Sequence, residues 1–296
     1  MSLTNMISIM DQCRKQGKGC GSFSTYSMEE VMGAILAAEE TKTPVILQLA
    51  EARFVTAPLE YMGAMMLAAA KDAEVPIAVH LDHGKTLDSV EKSLEMGFTS
   101  VMIDGSAESF DENVKLTNET IELAQEYHAD VEAELGVVGR SEDKYTVTYT
   151  RPEDAKAFID ATHVDALAVG IGNLHGNYPG GTPHLRLDIL QKIHNVIPDQ
   201  HLVLHGGSGI SDADFQKCIR NGVTKININT AILNNMLKAA EEYLSDDEKN
   251  KIDFYGLNRV LVASACQTVK HHIEVFSVKE SRGQPKTGAL KQAIEK

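Results

Sequence analysis

Three histidines each stand at the end of an apolar segment and directly before a glycine. His83 closely follows the predicted strand 76–81 (PIAVHL), His175 lies in the run VGIGNLHG, and His205 follows LVL. Three imidazoles without a cysteine partner are typical of a catalytic zinc site, whose fourth position stays open to water or substrate. Because the three residues lie far apart in sequence, they can form such a site only if their strands lie side by side.

Several carboxylates accompany these histidines. Asp82 directly precedes His83, so in an extended segment the two side chains point to opposite sides, one toward a metal and the other toward a substrate or the barrel. Glu132 and Glu134 share one face of a predicted strand, and if that face is inward they need a cation, a proton or a basic partner. Asp104 ends the preceding strand and could share that cation. For Glu132, a buried structural acid is favoured over catalysis.

Two polar turns predict an anion site. Residues 205–209 (HGGSG) lead into a helix that begins near Ser211, and residues 227–230 (NINT) precede another helix. Glycines let backbone N–H groups approach a phosphate, and the N-terminus of a helix favours its negative charge. Barrels of parallel strands commonly bind phosphate in the loops after strands seven and eight.

The elements that must position these residues form strand–helix units, which repeat eight times. Their strands are too apolar for a sheet with one solvated face, as expected of parallel strands buried on both faces. Eight units in roughly 240 residues match the size of a (β/α)8 TIM barrel. The alternative is a doubly wound open sheet, but no GxGxxG opens the first unit and candidate ligand groups end many strands.

We therefore predict an α/β protein with one domain over residues 1–296, a (β/α)8 TIM barrel with an N-terminal helix and extra C-terminal helices. Residues from about 231 to 296 exceed what a barrel needs and predict a C-terminal helical arm. Such an arm is either a subunit contact, which would make the protein a homodimer or homotetramer, or an ordinary appended helical pair.

Composition excludes several classes of partner. The net charge of −14 argues against a nucleic acid or an anionic membrane surface, and the lack of Trp argues against base stacking. The four cysteines show no CxxC spacing and no disulfide framework. With no apparent signal peptide or membrane-spanning run, we expect a cytoplasmic protein without a membrane or nucleic-acid partner.

Taken together, these motifs resemble the class II, zinc-dependent ketose-bisphosphate aldolases over about residues 3–280. The matching runs are HLDHG at 80–84, MIDGS at 102–106, VEAELG at 131–136, GNLHGNY at 172–178, LHGGSGI at 204–210 and KININT at 225–230. The resemblance implies a carbon–carbon lyase of carbohydrate metabolism. It would reversibly cleave a phosphorylated ketose to dihydroxyacetone phosphate and an aldehyde, through a metal-stabilised enediolate.

The resemblance also implies roles for individual residues. His83, His175 and His205 would hold one catalytic Zn²⁺ ion. Asp82 would handle the proton on the aldehyde-derived oxygen. Glu142 would take the proton from the ketone-phosphate carbon, and it lies in a polar stretch, 136–150, that is long enough to predict a mobile lid.

Two further sets of positions match the family. Asp104 and Glu134 match a second, inner location for a metal, which predicts a second divalent or a monovalent cation. The residues that match the phosphate pocket are Gly176, Gly206, Ser208, Asn229 and Thr230, and Asn227 matches an enediolate contact.

The sequence departs from the family pattern near the expected substrate. The departures are Ser24, Ala50, Arg140, Pro179, Asn229 and Val262. Pro179 replaces a common phosphate-binding Lys, and Val262 stands roughly where a neighbouring subunit's Arg normally grips the far phosphate. We therefore expect a ketose phosphate with an uncommon aldehyde half, whose terminal group could be other than phosphate. Arg140, Arg186 or Arg259 could return the missing charge.

Two alternatives remain open at this point. One is another metal-dependent enolising enzyme on the same barrel, such as an epimerase. The other is a non-catalytic relative that binds sugar phosphates. A non-catalytic relative would be expected to lose a metal ligand or the base, and here all of them are present.

Overall fold

The fold is a closed barrel of eight parallel strands, which confirms the predicted (β/α)8 architecture. A computed structural model describes residues 2–136, 138, 148–176, 178, 183–245 and 253–277. The strands pair in chain order from β1 to β8, and β8 pairs with β1. Their bounds are β1 Cys20–Ser24, β2 Val45–Ala50, β3 Ile77–Gly84, β4 Ser100–Ile103, β5 Asp130–Leu135, β6 Ala166–Val169, β7 His201–Leu204 and β8 Val223–Ile228.

Helices alternate with these strands and cover the outside of the barrel. The helices of the described residues are α1 Met6–Lys15, α2 Met28–Thr41, α3 Leu59–Asp72, α4 Leu87–Met96, α5 Phe110–Glu126, α6 Pro152–Thr162, α7 Leu187–Val196, α8 Asp212–Arg220, α9 Thr230–Leu244 and α10 Phe254–Phe276. A single 3-10 turn, Glu51–Arg53, directly follows β2. None of these helices is long and apolar enough to cross a membrane.

The amino-terminal end of the barrel is closed by α1. Met6, Ile9 and Met10 pack against residues at the beginnings of the strands, among them Ile46 and Ala78. These side chains are fully or almost fully buried. Polar chemistry is therefore confined to the opposite end, where the strands finish, as in other α/β barrels.

Part of the C-terminal stretch belongs to the barrel itself. Helix α10 packs along α2 and also contacts β1 and α8. Its Val269, Ile273 and Phe276 belong to the main hydrophobic core. This helix therefore completes the outer ring between α8 and α2, and the expectation that everything after about residue 231 exceeds the barrel does not hold for α10.

Candidate active site

A cavity of about 340 Å³ opens at the carboxyl ends of the strands. All eight strands, or the loops that follow them, contribute residues to its lining. The predicted metal and phosphate residues that reach this cavity come from the ends of β3, β4 and β5 and from the segments after β6, β7 and β8. The cavity residues that the sequence had singled out are Asp82, His83, Asp104, Glu134, His175, Gly176, Gly206, Ser208, Asn227, Asn229 and Thr230.

The three predicted histidines converge at the base of this cavity. One ring nitrogen from each of His83, His175 and His205 lies within 4.8 Å of the other two. His83 Nε2 and His205 Nδ1 are 2.8 Å apart. Their rings stand almost perpendicular, at 85°. Nitrogen atoms that face one another at this distance need a proton or a cation between them, because two lone pairs repel.

The backbone at the end of β3 brings Asp82 and His83 into the same cavity. The strand continues past its predicted end at residue 81 as far as Gly84, with a register shift between Leu81 and Gly84. His83 adopts a left-handed conformation with φ of +49°. Strict alternation of side chains therefore fails here, and the expectation that Asp82 and His83 point to opposite sides is wrong.

Gly206 allows the loops that carry two of the histidines to approach each other. Its φ is +61°, and a Cβ there would overlap the carbonyl oxygen of Leu174, the residue before His175. Only glycine meets both conditions without strain. Close packing of the two loops therefore requires glycine at position 206, independently of any role in anion binding.

Each of two histidines contacts a carboxylate through its other ring nitrogen. His83 Nδ1 lies 2.9 Å from Asp104 Oδ2, and His205 Nε2 lies 2.8 Å from Glu132 Oε1. Such carboxylates commonly orient metal-binding imidazoles and fix their tautomer. The arrangement leaves His83 Nε2 and His205 Nδ1 to face the centre of the cluster. Glu132 is thus a buried structural acid behind a histidine, in agreement with its favoured interpretation.

Burial sets the charge states of the cluster. Burial lowers the pKa of His175 and of His205 well below the usual value, so both rings are neutral, as ligation requires. Burial also acts to lower the pKa of His83. There it is outweighed by Asp82, Asp104 and Glu134, which together raise that pKa to about 9.

A second candidate cation position lies beside the first. One ligand atom from each of His83, Asp104 and Glu134 lies within 4.8 Å of the other two. Glu134 Oε2 is buried and accepts no hydrogen bond from the described residues, although it lies 3.5 Å from His205 Nδ1. Three imidazoles with an orphaned carboxylate oxygen form a donor set that fits a divalent transition metal.

A polar network inside the barrel links the histidine cluster to Asp82. Lys225 is fully buried; its Nζ lies 2.9 Å from Glu132 Oε2 and donates to Asn227 Oδ1 at 2.8 Å. Asn227 Nδ2 donates to one oxygen of Asp82 at 3.1 Å, and Gln48 Nε2 donates to the other at 3.0 Å. Both oxygens of Asp82 are therefore held before any ligand arrives.

Sequence reasoning missed Lys225 and Gln48. Gln48 interrupts the apolar run VILQLA, and Lys225 is a charged residue inside the strand VTKINI. Such a residue inside a fully buried strand needs a partner, and this was the available signal. Lys225 is the basic partner that Glu132 requires, whereas the basic group beside Glu134 is His83, whose Nδ1 lies 3.8 Å from Glu134 Oε2.

The two predicted anion loops contact each other. Ser208, in the loop after β7, accepts hydrogen bonds through Oγ from the backbone N–H groups of Ala231 at 3.0 Å and Asn229 at 3.4 Å. Asn229 is the residue before α9, and its Oδ1 is buried without a hydrogen-bond partner in the described part of the chain. The loops thus form one polar surface at the beginning of α9.

Two of the three expected sources of positive charge, Arg186 and Arg259, do not line the cavity. Arg186 forms a salt bridge with Asp188 at 2.7 Å, Arg259 is exposed on α10, and neither lines the cavity. Val262 belongs to the part of α10 that faces Gly33 of α2. Glu142, Asp143, Arg140 and Pro179 lie outside the described residues.

Comparisons with known proteins agree with this geometry. A family model described as "Fructose-bisphosphate aldolase class-II" matches residues 4–281. The sulfofructosephosphate aldolase of Alkalicoccus urumqiensis is 37% identical over 276 residues, which cover 90% of this chain and 94% of that protein. The fructose-bisphosphate aldolase of Streptococcus pneumoniae serotype 4 is also 37% identical, over 86% and 88% of the two chains. The crystal structure of the YdjI aldolase from Escherichia coli K12 superposes with a TM-score of 0.81 at 31% identity, over 93% and 97%.

Proposed function

Because the chain belongs to the class II fructose-bisphosphate aldolase family and is an aldolase, a carbon–carbon lyase, we propose that it is zinc-dependent and acts on a phosphorylated ketose. It reversibly cleaves this substrate to dihydroxyacetone phosphate and an aldehyde. The observation that carries the proposal is the convergence of His83 at the end of β3, His175 in the loop after β6 and His205 directly after β7, within 4.8 Å of one another.

In this proposal the three histidines hold Zn²⁺, and Asp104 and Glu132 orient two of them. A bound zinc ion would supply a Lewis acid for the substrate carbonyl. Asp104 and Glu134 would also offer a second, inner position to a divalent or monovalent cation. The orphaned buried oxygen of Glu134 supports that second position.

Asp82 is the proposed acid–base residue for the aldehyde-derived oxygen. Its carboxylate lines the cavity, and Gln48 and Asn227 hold its two oxygens. A group that is restrained in this way keeps its position while a proton moves at the substrate, which is what general acid–base catalysis needs. Glu142 remains our predicted base at the ketone-phosphate carbon, because it matches the family motif.

The phosphate of dihydroxyacetone phosphate would bind between the loops after β7 and β8. Gly176, Gly206, Ser208, Asn229 and Thr230 all line the cavity there. The beginning of α9 adds backbone N–H groups and a favourable dipole. The relatives are named for fructose bisphosphate and for sulfofructose phosphate. Phosphate and sulfonate are therefore the two candidate groups at the far end of the substrate.

A metal assay combined with a substrate screen tests this function. We expect about one zinc ion per chain and release of dihydroxyacetone phosphate from at least one ketose phosphate, abolished by a chelator and restored by zinc. Cleavage that persists without metal would refute the zinc dependence. An enzyme that only interconverts ketose phosphates would be an epimerase, and binding without turnover would indicate the non-catalytic alternative. Light scattering of the same sample would test the predicted homodimer or homotetramer.

A further inference from the structure

Besides His83 of the histidine cluster, the cationic side chains of Lys85 and Arg53 line the described part of the cavity, and of these two only Lys85 forms a salt bridge there. Lys85 Nζ forms a salt bridge with Asp104 at 2.5 Å. Arg53 also lines the cavity but forms no salt bridge with any residue that the structure describes. The cavity otherwise carries the carboxylates of Asp82, Asp104 and Glu134. Arg53 is thus the cation there that remains available to a ligand.

Arg53 is positioned by an aromatic ring rather than by an acid. It ends the 3-10 turn after β2, and its guanidinium carbon lies 5.8 Å from the centre of the Tyr26 ring. Tyr26 in turn donates its backbone N–H to Glu30 Oε2 at 2.8 Å, at the beginning of α2. A guanidinium can rest over an aromatic face and still offer its N–H donors to a ligand.

The wall that carries Arg53 is distinct from the predicted phosphate loops. Those loops follow β7 and β8, whereas Arg53 follows β2, and β1 lies between β8 and β2 in the barrel. The same wall contains Ser24, Ala50 and Ala52, whose small side chains leave space beside the guanidinium. A substrate that is anchored by one phosphate after β7 and β8 could therefore present its other end to Arg53.

We propose that Arg53 is the specificity-determining residue that binds an anionic group, phosphate or sulfonate, at the aldehyde end of the substrate. This inference rests on the proposed aldolase function. Both groups offer two oxygens to the planar donors of a guanidinium, which favours paired, charge-assisted hydrogen bonds. Among the described residues that line the wall after β1 and β2, Arg53 is the one charged side chain, so it is the group there that attracts an anionic substrate end.

The test compares kcat/KM for three ketose phosphates that differ only in their far end. Fructose 1,6-bisphosphate, 6-deoxy-6-sulfofructose 1-phosphate and fructose 1-phosphate carry a phosphate, a sulfonate and a hydroxyl there. We expect Arg53→Gln to lower kcat/KM about 10- to 100-fold for whichever anionic substrate the wild-type enzyme prefers, because charge-assisted hydrogen bonds are lost. Fructose 1-phosphate should change less than twofold. The two anionic substrates distinguish phosphate from sulfonate.

The matched control is Arg186→Gln, which removes a partly exposed arginine that does not line the cavity. It should leave all three substrates unchanged. Tyr26→Ala should reproduce part of the Arg53→Gln loss on the anionic substrate, and Tyr26→Phe, which keeps the ring, should restore it. This rescue separates positioning of the guanidinium from a role of the tyrosine hydroxyl.

Several outcomes would overturn the inference. An equal loss on all three substrates would make Arg53 structural, and no loss on the anionic ones would show that another group binds their far end. If wild-type enzyme cleaves ketose phosphates but ignores the far group, only the assignment of Arg53 fails. If it cleaves none and does not exchange the C3 proton of dihydroxyacetone phosphate, the proposed function fails as well.

Discussion

Two polar regions border the same cavity and are built in opposite ways. Below the histidines, Glu132, Lys225, Gln48 and Asp82 are at most 5% exposed, and each contacts another polar side chain. On the wall after β1 and β2, Arg53 is exposed and rests on Tyr26 without an acidic partner among the described residues. The charges of Lys225 and Glu132 are paired before a ligand arrives, whereas the guanidinium donors of Arg53 remain available to one.

The reason for the difference is the cost of burying charge. A buried charge without a partner costs several kcal/mol, so Lys225 and Glu132 must be paired in the folded protein. An exposed guanidinium is already solvated and needs no partner. Changes in the interior should therefore disturb stability and chemistry together, while changes on the wall should alter only selectivity. The following predictions test that distinction, beginning with the largest expected effect.

Asp82→Asn should lower kcat by about 100- to 10,000-fold, because it removes the proposed acid–base group and leaves its shape. Zinc content should stay at the wild-type level, since Asp82 is not among the proposed ligands. Steady-state kinetics and a metal assay on the same preparation check both statements. A variant that kept wild-type kcat would remove Asp82 from the chemistry.

Lys225→Met should destabilise the protein by about 3–5 kcal/mol, because it leaves Glu132 as an unpaired buried charge. The double variant Lys225→Met with Glu132→Gln should recover much of this loss, because neither position of the pair then carries a charge. Denaturant unfolding of the single and double variants measures the difference. Activity should stay low in both, since Asn227 loses its contact with Lys225. Additive losses of stability in the two variants would show that the pair is not coupled.

Ala50→Ser should have the smallest effect. Ala50 lines the wall near Arg53, and the change adds one hydroxyl that is common at the matching position of the resembled family. Ala50 is buried but lines the cavity, so the added hydroxyl can face that space, and we expect the unfolding free energy to shift by about 0.5–1 kcal/mol or less. The change in kcat/KM for a bisphosphate should be less than tenfold, the effect of about one hydrogen bond. A large loss of stability would contradict the distinction between wall and interior.

The sequence predicted most of the fold because local patterns carry that information. Apolar runs of strand length, separated by capped helices, were enough to predict eight parallel strands and the histidines at their ends. The conformation of His83 could not be predicted, since alternation assumes an extended backbone and β3 ends in a register shift. The position of α10 in the outer ring also depends on contacts that no local pattern records.

The residues of the site also fall into two groups, those that a local motif identifies and those whose role depends on contacts between distant parts of the chain. Residues in compact motifs, such as Asp82 and His205, were identified directly. Lys225 and Gln48 were missed because their partners lie on other strands and are set by the register of the closed barrel. Arg53 was missed because its importance depends on which other cations reach the cavity. Arg186, which the sequence offered instead, is paired with Asp188 elsewhere.

The central claim is that His83, His175 and His205 together hold the metal ion on which cleavage depends. The most direct test is the zinc content and activity of His205→Ala, beside wild type and His271→Ala, a control histidine on α10 that faces Asp212. We predict about one zinc ion per chain in wild type and in the control. We predict neither zinc nor cleavage in His205→Ala. Full zinc occupancy in His205→Ala would contradict the account.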